Sequence, residues 1–419
     1  MRAYFIKLCW KNIWRNKRRT FLTVNAIGFG VTALVCIYNF YDAFHEQIVH
    51  NVIQYHSGHL IVTAPGYLEN KSPKLYMKDT VAQSEWLAKR PEIKSASERV
   101  LVQGLVSSAN GSANILFTGV NPERESQVTK FSSNIVAGNY LSPGQNKPIV
   151  IGKGLSELLK VEVGSKVVAL TQGIDGSIGN ELFYVSGIFE THSDIDKSLA
   201  FIPLEDARTL QSLPPGSIHQ LSIILKEDSA VEKIRDEFAL AFPVKKEVAN
   251  EANAQMMTWM EVQRPLMAVL ELDKSFNRLL MIIILFVAAL GIANSILMSI
   301  MERIREFGVM MAIGTTKAEV IRMVVVETLM LGVVGVFLGN LFGVGWTMYF
   351  NHRGFDLKWL TSHNIVIEGM KIQTVSYPVV HWDNSGLITG VILALTVIVS
   401  IIPARHIAKL TAVEALRAH

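Results

Sequence analysis

A chain of 419 residues with 50% hydrophobic and only 18% charged residues departs from the roughly one-quarter charge of an average globular domain. That balance excludes a disordered or fibrous chain. Two cysteines, Cys9 and Cys36, exclude a disulfide scaffold, and a net charge of +4 is too small to mark a nucleic-acid binder.

Residues 1–20 carry Arg2, Lys7, Lys11, Arg15, Lys17, Arg18 and Arg19 and no acid. Such a basic amphipathic segment suits lipid headgroups and fixes topology. Phe21 to Tyr41 then runs without a charge, long enough for the roughly 20 residues that cross a hydrocarbon core. Aromatic residues follow at Phe40, Tyr41 and Phe44, as at a membrane interface. The run exceeds the roughly 7–15 residues of a signal-peptide core, and no small-residue cleavage site follows. Residues 21–45 are therefore expected to remain as a first membrane helix.

Residues 46–275 read as a mixed α/β domain. β-rich runs recur at Leu60–Thr63, Ile115–Thr118, Ile149–Ile151, Lys166–Leu170, Phe183–Val185 and Leu221–Leu225, bounded by Gly, Pro and Asn. Ser229-Ala230-Val231-Glu232 reads as a capping box that opens a helix from Val231 to Phe242. A second helix is expected from Leu204 to Leu213, after Pro203. His45, His50, His56 and His59 cluster near the start of the domain, but two of their spacings of 5, 6 and 3 do not place ligands on one helical face, and no Cys or nearby Asp pair joins them. They read as solvated polar groups near the membrane surface. Ile151-Gly152-Lys153-Gly154 lacks the earlier Gly and the following Ser/Thr of a phosphate loop, and Gly104 to Ser108 lacks the nucleophile-elbow pattern. No catalytic, cofactor-binding or metal residue is singled out.

Three further apolar runs follow. Leu279 to Met301 lies in a second helix over 276–301. Met323 to Phe350 forms a third over 323–350, interrupted only by Glu327. Asn384 to Ala404 supplies a fourth over 386–404, after an external loop at 351–385. Basic residues crowd residues 1–20, the elbow at 302–322 (Arg303, Arg305, Lys317, Arg322) and the tail at 405–419 (Arg405, Lys409, Arg417), whereas residues 46–275 hold 22 Lys/Arg against 27 Asp/Glu. The positive-inside tendency places both termini and the elbow in the cytoplasm and the large domain outside. The fold class expected is a membrane protein of four transmembrane α-helices, with a large mixed α/β periplasmic domain between helices 1 and 2.

The elbow carries the most information. Ile300, Ile304, Phe307 and Met311 fall at i, i+4, i+7 and i+11, one apolar stripe beside Glu302, Arg303, Arg305 and Glu306. Gly308 and Gly314 permit turns or close approach. An elbow of this kind can lie on lipid headgroups or enter a groove of a partner. Glu327 lies about one turn inside the third helix, with Arg322 nearby in sequence, and is expected to serve a structural pairing. Asn25, Asn294 and Asn340 are expected to bridge membrane helices.

At these residues the sequence resembles the permease subunits of MacB/FtsX-type ABC transporters. Glu302-Arg303-Ile304-Arg305-Glu306-Phe307-Gly308 followed by Met311-Ala312-Ile313-Gly314 is similar to their elbow. Pro403-Ala404-Arg405 and Val413-Glu414-Ala415-Leu416-Arg417 are similar to their C-terminus, with Ala412 where a proline is usual. Thr118 to Pro122, Ile149 to Leu155, Val161 to Gly164, Val185 to Phe189 and Ile195 to Leu204 resemble the lipoprotein-releasing permeases LolC and LolE. Thr191-His192 stands where many of them place a small residue and Gly.

The resemblance implies a non-catalytic inner-membrane subunit. A separate cytoplasmic ATPase dimer, holding ATP and Mg2+, would couple through Glu302, Arg303, Arg305, Glu306, Phe307, Gly308, Met311 and Gly314. Replacing Phe307 with Asp would then be expected to abolish that association. A second permease, either another copy or a paralogue, is implied as well. Lipoproteins would be extracted from the inner membrane and passed to a periplasmic carrier. The alternatives are MacB-like mechanotransmission, exporting a periplasmic substrate by way of an adaptor, and FtsX-like signalling to a periplasmic enzyme.

Overall fold

The computed structural model describes residues 10, 11, 13–15, 17–78, 80–142, 144–244, 254–356, 366, 367, 370, 371 and 375–409. The C-terminal residues of the resemblance, 412–417, lie outside them. Two compact units result, one of Met1–Glu46, Leu270–Trp359 and Thr374–His419, the other of Gln47–Val269 and Leu360–Gln373.

Among the described residues, the main sheet of the α/β unit has ten strands: β1 (Leu60–Thr63), β2 (Ile93–Ser107), β3 (Ser112–Val120), β4 (Ile135–Gly138), β5 (Pro148–Gly152), β6 (Lys166–Gln172), β7 (Ile178–Phe189), β8 (Leu199–Pro203), β9 (Gln220–Leu225) and β10 (Gln255–Thr258). Their order is β10-β1-β9-β2-β3-β8-β5-β7-β4, and β6 pairs with both β2 and β7. Pairing therefore runs β2-β3-β8-β5-β7-β6 and returns to β2, a ring that encloses Val102, Phe117, Ile149, Val167, Phe183 and Ala200 in the main core. The six β-rich runs expected from the sequence fall in β1, β3, β5, β6, β7 and β9. The expected helices form at Leu204–Leu210 and Val231–Ala241. The capping box at Ser229 does not: the cap position is Ala230 without a side-chain bond, and Ser229 Oγ turns back to Glu227 at 3.4 Å.

Strand β2 serves two neighbours on one edge. Residues Ile93 to Arg99 pair with β9 and Leu105 to Ser107 with β6. Between them the open edge is closed by side chains, as an unpaired strand edge requires. The Leu101 amide donates to His219 Nδ1 at 3.0 Å, and Thr171 Oγ1 donates to the Gln103 carbonyl at 2.7 Å. His219 is fully buried, stacks on Tyr67, and bonds the Pro73 carbonyl through Nε2 at 3.1 Å. Nearby, Arg99 and Glu125 are both buried and meet through two bonds of 2.7 and 3.2 Å, while Thr129 Oγ1 donates to the same carboxylate. His192 takes the left-handed conformation at φ +58, a region that favours glycine.

In the other unit, α1 (Lys17–Val52), α2 (Arg264–Glu302), α4 (Lys317–Arg353) and α5 (Trp382–Lys409) are each long and apolar enough to cross a membrane, and the short α3 (Ile304–Ala312) stands between α2 and α4. Helix α4 meets α1 through Gly335, Gly339 and Gly343, one small residue per turn. A Cβ at Gly339 would stand 2.6 Å from Val31 and 2.7 Å from the Gly28 carbonyl, so the two backbones approach as only small residues allow. Thr32 Oγ1 lies between the helices, 3.1 Å from the Gly339 carbonyl. Asn340 bridges α4 to α5 by donating to Thr389 Oγ1 at 2.8 Å. Asn25 instead turns back onto its own helix at the Phe21 carbonyl, and Asn294 is exposed on α2. Only 11% of the most apolar window of α2 is buried, against 50% for α1 and α4.

Burial pushes the His219 imidazole down to about 4 from an ordinary 6.5. The unfolded chain then binds more protons in that window, so the contribution is complete above pH 6.5 and is lost as pH falls toward 4. Thermal melts of the full chain should lose about 3 kcal/mol over that range on this account. The acid-dependent loss should shrink in His219→Gln; an unchanged profile would remove His219 as its source.

Candidate coupling site

Helix α2 ends at Glu302 because Arg303 leaves helical geometry, with φ −113 and ψ 14. The chain re-enters a helix at once, since the Phe307 amide donates to the Arg303 carbonyl at 3.1 Å. Helix α3 stops at Gly314, whose φ of +110 suits glycine; the Thr315 amide closes the turn on the Met310 carbonyl. Thr316 and Glu319 form a reciprocal capping box that starts α4. Residues 302–319 are thus held at each bend by a local device.

Arg303 joins the pieces. It is buried, and its Nη1 donates to both oxygens of Glu327 on α4, at 2.9 and 3.1 Å. Its Nε donates to Glu306 Oε2 at 3.0 Å, and its guanidinium lies 5.4 Å from the centre of the Phe307 ring. Glu306 gives its other oxygen to Arg15 of the N-terminal segment. Burial pushes the Glu306 carboxyl up, but the hydrogen bonds from Arg303 and Arg15 outweigh it and hold the group below the usual carboxylate range. Four charged side chains from three segments therefore form one chain, Arg15–Glu306–Arg303–Glu327. Glu327 pairs across the sequence with Arg303; the neighbouring Arg322 is exposed.

The apolar stripe faces inward. Ile300 and Phe307 are 2% and 1% exposed and belong to the core shared by the long helices, while Ile304 and Met311 are half-buried. Of the residues singled out in the sequence, Arg303, Phe307 and Gly308 are buried, Glu306 and Met311 half-buried, and Glu302, Arg305 and Gly314 exposed. The outward apolar surface is Val309 and Ile313, the latter 82% exposed, with exposed Ala312 between them. Neither Val309 nor Ile313 was marked by the stripe, because both lie off it; Arg15 was one of seven bases with nothing in the sequence to set it apart.

Elsewhere, an open cleft of about 860 Å3 lies on the face of the α/β sheet opposite the main core. Arg99, Leu101 and Gln103 of β2 line it with Leu116 and Thr118 of β3. Among the described residues no cluster of His, Cys, Asp and Glu could hold a metal ion. His59 is a buried structural group, accepting from the Leu225 amide at Nδ1 and meeting Asp228 at Nε2 over 2.8 Å, which corrects its reading as a solvated residue.

Among the described residues the chain thus combines four long apolar helices, an α/β unit and an elbow held by ion pairs. Residues 20–240 match the MacB-like periplasmic core domain and residues 278–412 the FtsX-like permease C-terminal model. The chain belongs to this MacB/FtsX-type family of ABC transporter permeases. It is 25% identical to the lipoprotein-releasing system transmembrane protein LolC of Neisseria meningitidis, over 95% of this chain and 94% of that protein. To LolE of Haemophilus influenzae it is 20% identical, over 94% and 92%. To the macrolide export ATP-binding/permease protein MacB of Agrobacterium fabrum it is 22% identical, over 96% of this chain but 59% of that protein.

Removing one partner of a buried ion pair strands the other charge, at a cost of about 3–5 kcal/mol. Glu327→Gln should therefore lower the thermal midpoint of the purified chain sharply. Arg303→Met with Glu327→Leu should recover most of that loss. An additive double-mutant cycle would show that the two residues do not act as a pair.

Proposed function

We propose that this chain is the membrane subunit of a transporter that releases lipoproteins from the bacterial inner membrane to a periplasmic carrier. ATP and Mg2+ are bound by a separate cytoplasmic ATPase dimer, and this subunit carries no catalytic residue. Similarity to LolC and LolE over nearly the full length of each chain supports the cargo. Clustering of basic residues in 1–20, the elbow and the tail supports a cytoplasmic position for both termini and a periplasmic one for the α/β unit.

The observation that carries the coupling role is the ion-paired elbow. A load on Val309, Ala312 and Ile313 is passed by Arg303 to α4 and by Glu306 to the N-terminal segment, so the cytoplasmic ends of the helices move as one body. ATP-driven closure of two ATPase copies then draws two permeases together. The unburied face of α2, with Asn294 among apolar neighbours, is the surface assigned to the second permease or to the cargo's acyl chains. An amide in hydrocarbon favours a hydrogen-bonding partner. Similarity to MacB over 96% of the chain favours a second reading, export of a periplasmic substrate through an adaptor.

Mild-detergent purification of the tagged chain with its native lipids separates these readings. Co-purified triacylated lipoprotein supports release, a periplasmic adaptor supports export, and the lack of any ATPase subunit contradicts both. Ile313→Asp should cut ATPase recovery at least ten-fold, on the order of 1.4 kcal/mol or more, with membrane insertion retained. Phe307→Asp is no test of docking, because it places a carboxylate in the core. Full ATPase recovery with Ile313→Asp would remove the exposed elbow face from the mechanism.

A further inference from the structure

The N-terminal segment has an outer face that coupling to an ATPase does not use. Residues 10, 11 and 13–15 are helical. Thr20 Oγ1 donates to the Ile13 carbonyl, seven residues back. In a straight helix rising 1.5 Å per residue, positions seven apart are about 10 Å apart along the axis, beyond the reach of such a bond, so the segment turns away from the axis of α1. Its inner side is anchored: Ile13 is buried with Val24 of α1 and Leu331 of α4. Its outer side is not. Trp10 and Trp14, one helical turn apart, are exposed and pack edge to face with ring centres 6.1 Å apart. Lys11, Lys17 and Arg18 of the same segment are exposed too, and so are Phe21 and Leu22 at the start of α1. No acid occurs before Asp42.

Indoles with cations and no acid, on a helix lying off the axis of a membrane span, match the chemistry of a bilayer interface rich in anionic phospholipid. Arg15 stands at the edge of this surface and is itself exposed while paired to Glu306. We propose that Trp10, Lys11, Trp14, Arg15, Lys17 and Arg18 form an anionic-lipid site whose Arg15 is shared between a phospholipid phosphate and Glu306. The bond between Arg15 and Glu306 then competes with headgroup binding. A phosphate that takes Arg15 leaves Glu306 to Arg303 alone and loosens the N-terminal end of the charge chain. Lipid charge thereby sets how firmly the segment is tied to the elbow. The inference rests on the membrane assignment of the four helices, which recovery of the chain in lipid discs checks separately.

The test is lipid retention by the full chain, reconstituted in discs of phosphatidylcholine with about 30% phosphatidylglycerol and analysed by native mass spectrometry. The wild-type chain should retain phosphatidylglycerol above its input share. Each charge removed among Lys11→Gln, Lys17→Gln and Arg18→Gln should lower that retention about five-fold. Arg15→Gln should lower it similarly, and Arg15→Lys should restore it. Glu306→Gln should raise retention, because it releases Arg15 to the phosphate; a merely structural role for the pair predicts no gain. Equal retention of both lipids by the wild type, or no rise with Glu306→Gln in a variant that keeps its helical circular dichroism, would overturn the proposal. An ATPase subunit that shields Trp10 and Trp14 from a brominated lipid would assign the face to a protein partner instead.

Discussion

The structure of the helical unit depends on a charge pair held away from water. Arg303 and Glu327 are each less than a tenth exposed, and desolvating two such groups costs several kcal/mol per ion. Hydrophobic residues of the same size would hold α3 against α4 at lower cost. What an ion pair adds is registry: one guanidinium meets both oxygens of one carboxylate, so α3 has a single position along α4 at which the charges are satisfied. Glu306 extends that constraint to a third segment. Such a pair fixes position along the helix, because an apolar contact can slide whereas a buried charge cannot leave its partner without cost.

Around this lock the helices are packed very unequally. Helix α1 is seated on the glycine ladder Gly335–Gly339–Gly343 of α4, and α5 is tied to α4 through Asn340 and Thr389. Helix α2 buries Leu266 and Leu270 near its start and Ile292, Ile296 and Ile300 near its end, and no residue between Leu270 and Ile292 is buried. It is the most apolar of the four, yet the least covered. Aqueous solvent would penalise that surface at about 25 cal/mol per Å2, whereas acyl chains or another apolar helix would not. The packed group of α1, α4 and α5 and the open flank of α2 are thus two different products of the same apolar composition.

Hydropathy made the four long helices legible because a span needs an uninterrupted apolar run whatever it packs against. Six of the ten strands were equally legible, being short β-branched runs closed by turn residues. Strand β2 was not, since Lys94-Ser95-Ala96-Ser97-Glu98-Arg99 buries polar groups whose partners, such as Glu125, lie far along the chain. The sequence singles out residues 302–322 as an elbow, and the chain bends there at Arg303 and Gly314, but which side faces inward was not legible. A stripe of Ile300, Ile304, Phe307 and Met311 fits packing inward as well as docking outward, and periodicity carries no sign. Likewise a glutamate inside an apolar run announces that it needs a cation. It does not say whether that cation is Arg322, five residues away, or Arg303 across a bend.

The low charge content noted at the outset divides along these lines. The spans account for the deficit, and Arg303 and Glu327, the charges buried among the described residues of the helical unit, are paired with each other. The +4 balance is an average of a basic set of segments, 1–20, the elbow and the tail, and an α/β unit in which acids outnumber bases. Of the basic set, Arg303 is turned inward as a structural cation and Arg15 stands between structure and surface. The same residue type at neighbouring sites in space therefore has opposite consequences. A buried arginine with two carboxylates fixes one conformation, whereas an exposed one with a single carboxylate can exchange that partner for any phosphate within reach, and only the second kind of contact can report on the lipid around the protein.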